Sequence, residues 1–401
     1  MRQSHELMEG SPRAGRVVPL LHLGFLLIGV VNTLLGPILP LLSARWQLDD
    51  AGAGALFFLQ SAGAIAGSAL SGPLIKRLGF SPVLAIGFGL MSIGTAGLGF
   101  GAWTVGAISI SVVGLSLGLT IPTINLLISE LNVGRRAAAL NLLNLAWGMG
   151  AVSGPALIPM LTRGGGLSFA LLCLAASVIT IAVLIARSPF AKSVMVVTSD
   201  QARAHQSTAQ LWMSWYPLLT AALVFVNIGT ESAIGGWIAS YVQRLEPTSA
   251  LSWAAPSFFW GGLLTGRAVA PIILRHVRET KLMLFGISVA ICGLMIIVIG
   301  TQTGPILVGV SLAGLGLSPI FPTTIALFTE RYGHDARRLT GILFILAGMG
   351  AAVLPWLVGF TSSVYGELRA GLVVPLVGAF VMLFLHTAIM ASFAGRARAS
   401  S

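Results

Sequence analysis

The sequence predicts an all-α membrane protein of twelve transmembrane helices, arranged as two six-helix bundles with pseudo-twofold symmetry. Three observations predict it. Hydrophobic residues make up 56% of the 401-residue chain and charged residues only 9%, against roughly a quarter charged in a soluble globule. Two stretches, Gly79 to Ser129 and Leu282 to Thr329, carry no charged side chain, and each exceeds one span of ~20 residues. The chain also repeats itself at a spacing of 200 residues. Gly114-Leu115-Ser116-Leu117 is answered by Gly314-Leu315-Gly316-Leu317, Pro122-Thr123 by Pro322-Thr323, and Glu130 by Glu330. Gly148-Met149-Gly150-Ala151 returns as Gly348-Met349-Gly350-Ala351, and Pro155 as Pro355. Positions 114–155 and 314–355 share 13 identities in 42 ungapped positions. Too many of these are Gly, Pro and Glu for shared apolarity to explain.

Spans are predicted at 17–42, 52–75, 81–101, 104–130, 136–161, 167–186, 214–242, 253–275, 281–300, 304–329, 338–361 and 370–394. Each uncharged stretch holds two spans, joined by a tight turn at Gly101 to Thr104 and at Gly300 to Pro305. The predicted divisions are a tail at 1–16, an N-terminal bundle at 17–186, a linker at 187–213, a C-terminal bundle at 214–394 and a tail at 395–401. Residues 1–16 are polar and basic and lack the apolar core of a signal peptide. The linker is the longest polar stretch, with Arg187, Lys192, Asp200, Arg203 and His205. It ends in Trp212, Trp215 and Tyr216, aromatics suited to a membrane interface.

The net charge of +11 follows topology and not a nucleic-acid patch. Of 23 Lys and Arg, 18 fall in the termini and in alternate loops that share one side. Arg45, Arg163, Arg244 and Arg369 fall on the other side, and Arg267 inside a span. The positive-inside rule then puts both termini in the cytoplasm of a multi-pass inner-membrane protein. Gly29 and Gly36 match Gly229 and Gly236, and Gly67 and Lys76 fall opposite Gly266 and Arg275 with a one-residue slip. The halves therefore run in the same direction, a layout in which many transporters place a solute pathway at the interface of the repeats. The partners expected are the lipid bilayer, a small-molecule substrate and a co-transported proton or sodium, with the chain a monomer. Cys173 and Cys292 lie in predicted spans, and no metal-ligand spacing or cofactor motif is present. No Gly-rich phosphate loop with its Lys, and no Ser/His/acid arrangement, points to an enzyme. His22 and His386 are isolated and read as structural.

The two halves, the central linker and two motifs resemble the major facilitator superfamily. One motif is Gly72-Pro73-Leu74-Ile75-Lys76-Arg77-Leu78-Gly79, with Lys76 where the superfamily usually has an acid. The other is Gly148 to Pro155, a glycine-rich helix ended by proline. Asn227 to Trp237 with Tyr241, and Gly316 to Thr323, are similar to the seventh and tenth spans of the fucose–proton symporter branch and its sodium-glucose relatives. That resemblance implies cation-coupled uptake of a small neutral sugar or polyol by alternating access. The alternative is a proton-coupled exporter of hydrophobic drugs or lipid-like compounds, since related exporters share part of the pattern.

Glu231 lies within span seven with no charged neighbour along the helix. A carboxylate in the bilayer is costly and functional by default. A group neutral in one state and charged in another can couple proton entry to a conformational change, so Glu231 is the proton-coupling candidate. Hydrogen bonding to neighbouring helices or to substrate is the plainer alternative. Asn227, one turn earlier, shares its face. Depth counting leaves Arg267 roughly 8–13 Å from Glu231 along the membrane normal, a gap that a snorkelling Arg closes in part. Arg267 could equally bond helix-end carbonyls near the inner surface.

Asn32, Gln60, Asn125, Asn141, Asn144, Trp147, Asn227, Trp237 and Thr323 form the substrate-binding candidates. Amides donate and accept, and an indole covers the apolar face of a sugar. Interhelical hydrogen bonding is the alternative for each amide. Glu130, Arg135, Glu330 and Arg331, joined by Arg267, are read as a gate of salt bridges at the cytoplasmic helix ends. Solvated helix ends explain the same charges. Pro37, Pro40, Pro122, Pro319, Pro322 and Pro355 are expected to bend spans one, four, ten and eleven.

Overall fold

The computed structural model describes residues 14–188, 212, 214–247, 251–333 and 336–399. The expected tail over 1–13 and linker over 189–211 lie outside the described residues. Among the described residues every regular element is a helix.

The first span is a bent pair, Ala14–Asn32 and Leu35–Trp46, with 42° between its pieces. Asp50–Leu78, Phe80–Gly97 and Trp103–Leu131 are spans two to four. Arg136–Ala186 is a 51-residue helix broken at Gly165 and Gly166, so it supplies spans five and six. Gly166 has φ +76°, a left-handed conformation that only glycine adopts at no cost. Trp215–Leu245, Leu251–Ile273 and Glu279–Ile299 are spans seven to nine. Thr303–Leu317 and Ile320–Tyr332 make span ten, Ala336–Tyr365 span eleven, and Leu368–Gly371 with Val373–Ala399 span twelve. Most pass the length and hydropathy of a membrane span. Leu251–Ile273 falls short, because Trp253, Trp260, two prolines and Arg267 lower its mean hydropathy. Among the described residues the count is twelve, and the predicted turns fall at Gly101 and over 300–302.

Two of the breaks have one cause. Proline has no N–H for the carbonyl four residues back. Pro37 deprives Thr33, and the first span bends between Asn32 and Leu35. Pro322 deprives Ser318, and span ten breaks at Ser318 and Pro319. Pro122 and Pro355 sit inside helices that continue past them.

The chain forms two compact units. One comprises residues 1–35 and 59–199, the other residues 36–58 and 200–401. The second unit thus contains a segment that precedes the linker by more than 100 residues. Within that unit, Gly36 packs against the backbone of Gly235 and Gly236, and Phe57 against the Trp237 ring at 6.0 Å.

Each unit is held by helix backbones in direct contact. In the first, a side chain on Gly150 would strike the Leu26 carbonyl, one on Gly114 the Gln60 carbonyl, and one on Gly63 the Ser111 carbonyl. In the second, Gly350 meets the Phe225 carbonyl, Gly314 that of Phe259, and Gly262 that of Ser311. The repeat seen in sequence is therefore a repeat of close helix crossings. Lipid tails compete with side chains for apolar contact, so membrane helices associate through small residues that let backbones approach.

Candidate functional site

Span seven carries the central cluster. Glu231 is 5% exposed and Asn227 fully buried. One turn separates them, so both project from one face. Asn227 Nδ2 donates to Glu231 Oε1 at 2.9 Å. From span eight, Arg267 Nη2 lies 3.8 Å from Glu231 Oε2. Depth counting had left a gap here, and the Arg side chain spans it. Gly266, beside Arg267, packs on Ser318 and brings spans eight and ten together. Asn227 Oδ1 and Arg267 Nε are buried without a protein partner among the described residues. The carboxylate is therefore held by one cation and one amide, and both partners keep unused hydrogen-bonding capacity.

The other candidates divide by environment. In the first unit Asn141 and Asn144 are exposed, and Asn32, Asn125 and Trp147 are half-buried. Asn125 and Asn144 each turn Nδ2 back to a carbonyl of their own helix, Ile121 at 2.8 Å and Leu140 at 2.9 Å. Their side-chain oxygens remain as acceptors. Gln60 is buried.

Trp237 departs from its expected role. It is fully buried, its indole N–H donates to the Pro355 carbonyl at 2.8 Å, and Phe57 packs against its ring. It packs span seven on span eleven and offers no open face to a substrate. Asn227 and Thr323 are also buried, and Asn227 serves Glu231 instead.

Of the gate candidates, Arg267 pairs with Glu231. Glu130 is half-buried near Arg136, whose Nε donates to the Ser129 carbonyl at 3.1 Å, and Arg135 is exposed. Glu330 is exposed, and Arg331 lies over the Tyr216 ring at 4.6 Å.

A carboxylate–guanidinium clasp does exist, at the opposite ends of the helices. Asp50, the first residue of span two, accepts both Arg244 amino groups, one at 2.8 Å, and the Ser362 hydroxyl. A bidentate pair of this kind is among the stronger polar contacts. Beside it Asp49 caps span two through the Gly52 N–H at 2.9 Å and accepts from Ser363 at 3.2 Å. Ser363 in turn accepts the Ala51 N–H at 2.8 Å. Arg369 donates to the Tyr241 hydroxyl at 3.3 Å and the Gly300 carbonyl at 3.1 Å. The signal for Asp49 was the run Asp49-Asp50 ahead of a helix, a start signature. Nothing local pointed to partners on spans seven and eleven.

Comparison with known proteins gives the same architecture. The family described as Major Facilitator Superfamily matches residues 21–355. A glucose/galactose transporter of Brucella abortus is 30% identical over 204 residues, covering 49% of this chain and 47% of that protein. The chain thus spans about half the length of that curated relative in the match. Among solved structures, a bacterial homologue of the human lysosomal transporter Spinster superposes with TM-score 0.79 at 14% identity, covering 96% of this chain and 99% of that one. The Escherichia coli fucose:proton symporter gives TM-score 0.60 at 18% identity, covering 93% and 98%. At these identities the structures speak to fold alone. Twelve spans, a duplicated frame of helix crossings and a family match over most of the chain agree: this protein belongs to the major facilitator superfamily, a family of transporters and not of enzymes.

Proposed function

We propose that this protein is a secondary active transporter that takes up a small neutral sugar or polyol together with a proton, by alternating access. One observation carries the coupling: Glu231 is a buried acid inside a span, held by Arg267 and Asn227. Deprotonated, it attracts Arg267 and keeps spans seven and eight together. Protonated, it loses that attraction and frees Arg267 and Asn227 for other partners. Gain and loss of this pair with the proton is a differential interaction of the kind that biases a conformational equilibrium.

The half-buried and exposed amides of the first unit, Asn32, Asn125, Asn141 and Asn144, with Trp147, supply the sugar contacts in this reading. The similarity to a protein named as a glucose/galactose transporter supports that substrate class. The excess of Lys and Arg in the termini and alternate loops supports cytoplasmic ends. The test is reconstitution into liposomes with labelled sugars, under a pH gradient, a sodium gradient or neither. Glu231→Gln is expected to abolish gradient-driven accumulation while sugar exchange continues. Normal accumulation by that variant would overturn the coupling role.

A further inference from the structure

The second unit contains a cavity of about 360 Å³ that the Glu231 cluster does not use. It lies where spans seven and nine begin and spans ten and twelve end. Its wall includes Thr220 and Leu223 of span seven, Thr324 and Glu330 of span ten, Thr280 of span nine and His386 of span twelve. Thr324 is 5% exposed, and its hydroxyl has no protein partner among the described residues. Buried polar groups usually take partners, and the cavity is where this hydroxyl can find one. Met283, Leu327, Ile389 and Met390 make the rest of the wall apolar, so waters in this space would gather at its threonines, His386 and Glu330.

The internal repeat supplies a control. At the 200-residue spacing Thr220 corresponds to Leu20 and Thr324 to Ile124, and the sixth span has no histidine. The frame of helix crossings is common to both halves, whereas Thr220 and Thr324 belong to the second alone. The cavity is also aligned with the acid. Thr220, Leu223, Asn227 and Glu231 follow at steps of three, four and four along one face of span seven. Leu223 forms the cavity wall, and Asn227 stands one turn beyond, ~6 Å at 1.5 Å per residue. Asn227 Oδ1 has no protein partner among the described residues, and Asn227 Nδ2 bonds to Glu231.

We propose that this cavity is a hydrated proton passage through the second unit, with His386 as the intermediate carrier. It serves Glu231 from the side on which spans seven and nine begin, apart from the path of the sugar. The proposal rests on the coupling role of Glu231. On release the O–H bond at Glu231 breaks, and the carboxylate left behind stays with Arg267 and Asn227. The proton crosses water held at Asn227 Oδ1 and Thr324 and forms an N–H bond at His386. It then leaves to water at the mouth, and uptake runs in reverse. Imidazole is suited to this step because its ordinary titration range is close to neutrality. The polar and titratable groups lining the cavity with His386 are Tyr216 and Thr220 from span seven, Thr280 from span nine, and Thr324, Glu330 and Arg331 from span ten, and His386 hydrogen-bonds to the Thr280 backbone.

Two measurements test the passage. In a chain with Cys173 and Cys292 replaced by serine, Thr324→Cys should react with a small water-soluble methanethiosulfonate in membrane vesicles. Failure to react, while Glu330→Cys at the mouth is labelled, would show a dry space and end the proposal. In liposomes His386→Gln should lower gradient-driven proton entry, read by a trapped pH dye, severalfold. Sugar counterflow without a gradient should be unchanged. Normal proton entry with His386→Gln, together with its loss in Glu231→Gln, overturns the passage and leaves the coupling role standing. Normal entry in both variants overturns both.

Discussion

Asn227 shows how one side chain sets the properties of another. Its amide nitrogen fixes one oxygen of Glu231 while Arg267 holds the other. Asn227→Leu removes that bond and leaves Glu231 with the cation alone. The expected result is a shift in the pH dependence of sugar accumulation with Glu231 still required. An unchanged pH profile would show that the amide does not act on the acid. At this scale the sequence was legible where a residue was unusual for its setting. A lone acid in an apolar span identified Glu231 without coordinates. The contact with Arg267 was not legible, because counting residues treats helices as upright and side chains as points. Trp237 was misread for another reason. A helix apolar on every face does not disclose which face meets protein, so a buried indole and an open one look alike in sequence.

The helices explain why glycine and proline recur where they do. Gly350 sits against the Phe225 carbonyl, and backbone cannot move aside as a side chain can. Gly350→Val is expected to destabilise the protein by about 1–3 kcal/mol through overpacking. Gly341, on the same helix, has nothing within 4 Å of where a side chain would begin. Gly341→Ala should leave stability unchanged or raise it, since alanine favours helix over glycine. Thermal unfolding of the two variants in detergent checks the contrast. Equal melting temperatures would show that the crossing is not tight. Helix limits were legible from the uncharged stretches and the glycine turns. Breaks were legible only in part: Pro37 and Pro322 mark them, whereas the helices that contain Pro122 and Pro355 run on past those residues.

On the scale of the molecule, spans one and two each run from one compact unit into the other, at residues 35–36 and 58–59. The Asp50 clasp ties the segment 36–58 to spans seven and eleven. Asp50→Ala should loosen that segment and uncover Phe57, which is 7% exposed. The check is the labelling rate of Phe57→Cys by an impermeant thiol reagent, faster with Asp50→Ala than without it. Exchanging the charges, Asp50→Arg with Arg244→Asp, should slow labelling again. Equal rates throughout would remove the clasp from any part in access. The twelve-span duplicated fold was legible because repetition and apolarity are properties of whole segments. The clasp was not, because its members lie 194 and 312 residues apart.

The paired glycine crossings have a consequence for how such a chain can change over time. When main chain rests on main chain, adhesion between helices depends little on the larger side chains around it. Those neighbours are then free to drift. One copy of the duplicated frame could keep Leu27 and Val31 while the other acquired Asn227 and Glu231 at the corresponding places. New cargo or a new driving ion would thus require only a few exchanges on an inherited chassis.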